Sequence, residues 1–473
     1  LLWVLSLAGS IHLIRSYQRH STMKTPDEAI SLALQDVVRP CCVAAITTAL
    51  GFLSLLTADL VPVIELGLFS ALGLVISLVV TLSVGPWLIM LLMHSPPSSG
   101  TSSINSFLRV PERWLKAPIL SLLVLCVLAG IGIFSMGKIR IESDPLSFLP
   151  EQSAVVQDYQ FIAENLSGYY SLEIVLHASN GWLDMAYWPP IDAMVERLEA
   201  HDGVARVLSP LDILRKLMQW DNDFEAAQYR LPESQEMARV LVEEMDESAE
   251  TALARLLSED GKTIRLSALV QVMASNEFEE INALAMDLID SEEFPLAGYT
   301  TGIVSQLVQA QTDLLHTQLR SFSLAFGIIF LSLLVGLRSL RLTLISVIPN
   351  LLPILTAFSA MALLGIALDG ATVMMASVAL GIAVDDTVHM LSAYQQEIVK
   401  GLSPYEAVQS AVERVSKAMI ITTVTASIGF FALLSSDFVP IAYFGLLSGL
   451  AIVTAFLADF YILPALILLW DKR

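Results

Sequence analysis

Apolar residues run in long blocks along most of this chain, separated by short polar stretches. A helix needs about 20 mostly apolar residues to cross a bilayer core of roughly 30 Å. The pattern predicts spans over 38–57, 64–93, 115–136, 321–338, 342–365, 370–394, 417–435 and 441–469, with a partial span opening the chain at Leu1. Only one long hydrophilic block, 138–318, breaks the series.

Inside that block the period changes. SLEIVLHA alternates as a strand does, PPIDAMVERLEAH has the period of an amphipathic helix, and VARVLSP returns to strand. TIRLSALVQV, EFEEINALAMDLIDS and LAGYTTG repeat the order, the last as a short strand or turn. Two β-α-β units predict an α+β, ferredoxin-like split fold, with a helical insert over 212–256 between them. IVSQLVQAQTDLLHTQLRS is expected to run as a helix into the next span. The expected layout is 1–94 for the end of one membrane repeat, 95–114 for a cytoplasmic linker, 115–136 for a span, 137–318 for an exterior porter domain and 319–473 for the remaining spans.

Composition and charge sharpen this. The 473 residues are 55% hydrophobic and 15% charged, as in a polytopic membrane protein. The block 138–318 holds 32 acidic and 11 basic residues, so it carries the whole formal charge of −21. Basic residues gather on one side of the spans: Arg15, Arg19, Lys24, Arg39; Arg109, Arg113, Lys116; Arg338, Arg341; Lys400, Arg414, Lys417; Lys472, Arg473. The opposite short loops carry Asp59, Asp369 and Asp437. The positive-inside rule makes the basic side cytoplasmic and the acidic domain exterior. An acidic exterior argues against nucleic acid as a partner. The cysteines, Cys41, Cys42 and Cys126, all lie outside the exterior block, which excludes a disulfide framework there.

The chain also repeats itself. TPDEAISLA matches SPYEAVQSA, and GFLSLLTADLVPVIELGLFSALG matches GFFALLSSDFVPIAYFGLLSGLA. Pro26/Pro404, Glu28/Glu406, Gly51/Gly429, Asp59/Asp437, Gly67/Gly445 and Pro86/Pro464 are 378 residues apart; His12/His389 and Tyr17/Tyr394 are 377 apart. Repeats of one membrane orientation build transporters around a central pathway. The expected class is a polytopic α-helical membrane protein with tandem six-helix repeats. Leu1 is preceded by no Met or charged leader, and it aligns with about residue 378. The chain therefore reads as a fragment opening inside a helix, with roughly 260 residues of the first repeat ahead of it. Thr25 and Ser403 are expected N-caps, each with proline next and glutamate three residues on, starting short amphipathic helices on the cytoplasmic face.

Aligned copies show where the halves differ. Asp385 and Asp386 stand opposite Ala8 and Gly9, Thr422 and Thr423 opposite Ala44 and Ala45, and Asp459 opposite Thr81. Thr425 and His389 keep partners in Thr47 and His12. A carboxylate in mid-membrane costs about 2.5–3.5 kcal/mol on insertion scales, so intramembrane acids read as ion or proton relays. Asp385 and His389 share a helix face at i, i+4, Asp386 points about 100° away, and the two acids should titrate as a coupled pair. His389 is placed to relay a proton, and Thr422, Thr423 and Thr425 on the next span to donate hydroxyls. Asp459, inside the last span, is the remaining relay candidate. The competing readings are plain. A membrane Thr often bonds a carbonyl of its own helix, and a histidine present in both repeats serves packing equally well. No Cys, Glu or second His lies near enough in sequence to complete a metal set, so no metal or cofactor is expected. The exterior acids Glu243, Glu244, Asp246 and Glu247 read as a solvated face. No catalytic triad, phosphate loop or zinc spacing appears, which points away from an enzyme.

GIAVDDTVHMLSAYQQE, SPYEAV, TTVTASIGFFALLSSDFVPIAYFGLLSGLA and the exterior β-α block resemble the RND superfamily of exporters, in particular its MmpL-like, hopanoid-transporter-like branch. The resemblance implies twelve spans, two porter domains and proton-driven export, with acids on the fourth and tenth spans. Asp385 and Asp386 match the tenth, while Ala8 and Gly9 replace the acids of the fourth, implying one proton path per protomer. The reading is a proton-motive-force-driven exporter in a bacterial inner membrane, its porter domain periplasmic. Membrane lipids, a hydrophobic or lipid-like cargo and protons are the expected partners, and a homo-oligomer is left open. A proton-coupled accessory of protein secretion and a lipid-sensing receptor that moves nothing are the alternatives.

Overall fold

The computed structural model describes residues 2–58, 61–92, 118–137, 145–166, 170–221, 225–270 and 275–470. Asp59, the linker 95–114 with Arg109 and Arg113, Lys116, Lys472 and Arg473 lie outside the described residues. The chain divides into a helical unit, Leu1–Arg140 with Asp313–Arg473, and a smaller unit, Ile141–Thr312.

The helical unit begins with α1 (Leu2–His20), α2 (Pro26–Leu53), α3 (Val61–Leu92) and α4 (Pro118–Met136). In the smaller unit α5 (Ala154–Leu166) precedes β1 (Tyr170–His177), α6 (Trp188–Glu199) and β2 (Val204–Leu208). The helical insert is α7 (Pro210–Asp221), α8 (Gln235–Glu243) and α9 (Glu247–Ala254). β3 (Thr263–Val270), α10 (Ser275–Ile289) and β4 (Ala297–Thr301) complete it. The sheet order is β2-β3-β1-β4 and every neighbouring pair is antiparallel. Two β-α-β units are thus interleaved, each inserting a strand beside the other's. Leu172, Ile174 and Leu176 of β1 face one way and pack with Ile191 and Leu198 of α6 and Ile281 and Ala285 of α10. On the other face Glu173 is buried. Arg265 holds it bidentately at 2.6 and 2.9 Å, and Ser171 and Ser267 each donate at 2.6 Å. Burial opposes its charge, but those hydrogen bonds outweigh burial and hold its carboxyl below the ordinary value.

The helical unit resumes with α11 (Ile303–Leu337), α12 (Leu340–Leu364), α13 (Gly370–Val399), α14 (Pro404–Phe431), α15 (Val439–Leu457) and α16 (Leu463–Trp470). Seven helices among the described residues are long and apolar enough to span a membrane, and Ile119–Ser135 is a shorter apolar one. The repeat is visible in the backbone. α2 and α14 each have 28 residues, and each ends in a four-residue 3-10 turn, Ser54–Thr57 and Ala432–Ser435. The packing repeats too. A Cβ on Gly67 would lie 2.6 Å from the Phe52 carbonyl oxygen, and one on Gly445 would lie 2.5 Å from that of Phe430.

Two expectations change. The amphipathic segments starting at Pro26 and Pro404 are not separate surface helices but the first turns of α2 and α14. Their mid-helix charges need no break in the backbone, because Asp36 and Arg414 pair at 2.7 Å. Ser403 and Glu406 form the full reciprocal cap, whereas Thr25 accepts from the Glu28 N–H while the Glu28 carboxylate turns to Lys24 at 3.9 Å.

Candidate functional site

α13 is fixed at its start by Asp369, whose carboxylate accepts from the N–H groups of Ala371 and Thr372 while Thr372 accepts from the Asp369 N–H. Four turns on, Asp385 and Asp386 face a cavity of about 90 Å³, with His389, Thr422, Thr423 and Thr425 among its lining. One water needs about 10–15 Å³, so the cavity has room for a short water chain. Asp385 Oδ1 lies 3.8 Å from His389 Nε2, too far for a direct hydrogen bond. One Asp386 oxygen and the Thr423 hydroxyl are buried with no protein partner. Thr422 instead donates to the Met419 carbonyl of its own helix at 2.9 Å, the competing reading realised. Among the described residues no Lys or Arg lines the cavity.

Asp459 does not line this cavity. It is 1% exposed and accepts from Thr387, the residue after Asp386, at 2.7 and 2.9 Å. Asn350 Oδ1 lies 3.1 Å from the same hydroxyl, its amide turned by donation to the Ser346 carbonyl at 2.7 Å. A hydroxyl has one hydrogen, so these acceptors compete for it. With Asp459 ionised the hydrogen goes to the carboxylate. With Asp459 protonated its O–H donates to Thr387 and the Thr387 hydrogen turns to Asn350. In this arrangement the acceptor open to the Thr387 hydroxyl differs between the two protonation states of Asp459. Asp459 sits in a π-turn, Ala458–Ile462, where the first repeat runs as uninterrupted α3. Such turns re-aim side chains and recur at functional sites. At the equivalent place in the first repeat Ser10 and Thr81 hydrogen-bond at 3.3 Å, an uncharged version of the same contact.

His12 and His389, equivalent residues of the two repeats, stack with centroids 3.6 Å apart and planes 8° from parallel. Asp36 and Arg414, equivalent likewise, pair with each other. Equivalent residues that touch must straddle the pseudo-twofold axis, so that axis runs through the stack and the ion pair. Cys41 Sγ approaches His389 Nε2 at 4.0 Å. Two protonated imidazoles at this spacing would repel by about 4–5 kcal/mol at an effective dielectric constant near 20, so one positive charge is the limit for the stack.

A family model described as MMPL family matches residues 11–117 and 147–473. The chain belongs to the MMPL family. This family chain is 22% identical over 372 residues to the putative membrane protein MJ1562 of Methanocaldococcus jannaschii, covering 76% of itself and 92% of that protein. It is 31% identical over 148 residues to the toluene efflux pump membrane transporter TtgE of Pseudomonas putida, covering 31% of itself and 13% of TtgE. Among solved structures, SecDF in a super-membrane-facing form matches with TM-score 0.56 and 14% identity, over all of this chain and 54% of SecDF. The chain therefore spans about half of SecDF and a small part of TtgE.

Sequence reasoning missed Thr387, Asn350 and Cys41. Thr387 aligns with another hydroxyl, Ser10, so comparing the repeats hid it. Asn350, an amide inside the apolar run SVIPNLLPIL, was the signal available.

Proposed function

We propose that this MMPL-family protein is a proton-driven exporter of hydrophobic or lipid-like molecules, held in a bacterial inner membrane with the smaller unit in the periplasm. The observation that carries the reading is a largely apolar cavity with two carboxylates and, among the described residues, no Lys or Arg in its lining. A buried carboxylate with no permanently charged Lys or Arg beside it is neutralised most readily by a proton, which makes the pair a carrier. Protons enter the cavity, reside on the Asp385–Asp386 pair with His389 beside Asp385 at 3.8 Å, and are sensed at Asp459 through Thr387. Ala8 and Gly9 leave the first half without this chemistry, so one path serves each protomer. The toluene efflux pump and the solvent-resistant pump membrane transporter SrpB, both from Pseudomonas putida, support an apolar cargo by their names.

The test is cargo efflux from proteoliposomes under an imposed pH gradient. Changing both Asp385→Asn and Asp386→Asn should reduce gradient-driven flux to background while cargo binding persists. Wild-type flux in that variant overturns the relay. A second reading, a proton-coupled accessory of secretion, is supported by the SecDF fold. Crosslinks from the smaller unit to a translocating polypeptide would favour it. Bound cargo with no flux and no pH dependence would favour a sensor.

A further inference from the structure

A second cavity in the helical unit, about 540 Å³, opens where α11 ends and α12 begins. Its lining presents four cations, Arg39, Arg338, Lys400 and Arg414, against one carboxylate, Asp36. Two of the cations are committed. Arg414 pairs with Asp36 at 2.7 Å and with Glu397 at 3.5 Å, and Lys400 pairs with Glu397 at 2.7 Å. Asp36 is further held by Arg19 and by His20 at 2.8 Å. Arg39 and Arg338 pair with no carboxylate among the described residues. Arg39 gives one N–H to the Gly336 carbonyl at 2.5 Å, which leaves the rest of its fork directed elsewhere.

Arg338 adds an independent observation. Its φ is +51°, the left-handed conformation that a helix C-terminus usually fills with glycine. A residue held there against its preference marks a side chain that is wanted at that spot. The apolar part of α11, Leu319–Leu337, ends one residue earlier, so Arg338 lies at headgroup depth on the side where the basic residues cluster. Leu337, Leu342, Ile398 and Val399 share the lining, and Val399 is 87% exposed. Two uncommitted guanidinium groups beside the open apolar side chain of Val399 suit an amphiphile with a phosphate head, since Arg binds phosphate with two parallel N–H donors. Basic pockets between spans on the cytoplasmic side recognise anionic headgroups in this way.

We infer that this cavity is a binding site for an anionic phospholipid of the cytoplasmic leaflet, its phosphate between Arg39 and Arg338 and its chains leaving past Val399. The lining draws on α2 from the first repeat and on α11 to α14 from the second, so an occupant bridges the two halves.

Native mass spectrometry of the full chain in detergent tests this, with phosphatidylglycerol, phosphatidylcholine and inorganic phosphate as probes. The wild type should bind phosphatidylglycerol at least tenfold more tightly than phosphatidylcholine, and millimolar phosphate should not displace it. Arg39→Gln with Arg338→Gln should weaken phosphatidylglycerol at least tenfold. Arg338→Gly suits the left-handed backbone, should melt no lower than wild type, and should lose affinity several-fold. Wild-type lipid affinity in either variant overturns the site. Equal binding of the two lipids, or displacement by free phosphate, overturns the headgroup assignment.

Discussion

Thr387→Val replaces one hydroxyl by a methyl of similar shape and leaves Asp459 with no donor from α13. Hydrogen bonds to a charged group contribute about 1.5–3 kcal/mol, and 1.36 kcal/mol is tenfold in an equilibrium. The 2.7 and 2.9 Å contacts come from a single hydrogen, so the loss is counted once. The neutral acid also loses its bond to Thr387, so only the difference of about 1–1.5 kcal/mol counts, and the ionised form of Asp459 becomes about five- to tenfold rarer at a given pH. Under the proposed relay, flux limited by the ionised form should fall at neutral pH and recover as the pH is raised. The assay is gradient-driven efflux from proteoliposomes across a pH series, with Thr387→Ser alongside. Serine keeps the hydroxyl and should keep the wild-type profile. A valine variant with the wild-type profile, or a serine variant that behaves like valine, refutes this role of the Thr387 hydroxyl.

Other outcomes follow from the packing and from the smaller unit. Gly67→Ala and Gly445→Ala each force a Cβ to within 2.6 Å of a carbonyl oxygen, so each should cost about 1–3 kcal/mol and lower the melting temperature in detergent by similar amounts. An unchanged melting temperature in either would contradict the contact. Glu173→Gln should reduce hydrogen-exchange protection of β1 and β3 by about 1–3 kcal/mol, because Arg265 loses its charged partner. The Glu173 carboxyl is held below its ordinary value of 4.5, so its stabilisation is present above that pH and is lost as the pH falls through the lower, folded-state value. Protection of β1 and β3, corrected for intrinsic exchange, should drop on acidification below 4.5 in wild type and not in the Gln variant.

Much of this was legible beforehand. The spans follow from apolar length, the strands and helices of the smaller unit from period, and the Asp385–Asp386 pair from the energetic oddity of acids in an apolar run. The register of 378 residues made Gly67 and Gly445 equivalent before any contact was known. What stayed hidden depends on contacts between distant segments. Thr387 meets Asp459 across 72 residues and Cys41 meets His389 across 348. The π-turn at Asp459 leaves no mark in a pattern of apolar residues, because its lining is as apolar as an α-turn. The continuity of α2 was misread because Asp36 and Arg39 look like a surface segment until Arg414 is known to cover Asp36.

On the proposed transport reading, the stacked histidines would set where the halves pivot. Alternating access rocks one bundle against the other around a site that stays nearly still. Two flat rings face to face can slide or tilt by small amounts but cannot pass through each other, so the pivot belongs near them. The carboxylates a turn away from His389 then shift little while the bundle ends swing widely. On the proposed reading the Asp385–Asp386 pair sits at a fulcrum, where charge would change at the point of least travel and be felt at the points of greatest travel.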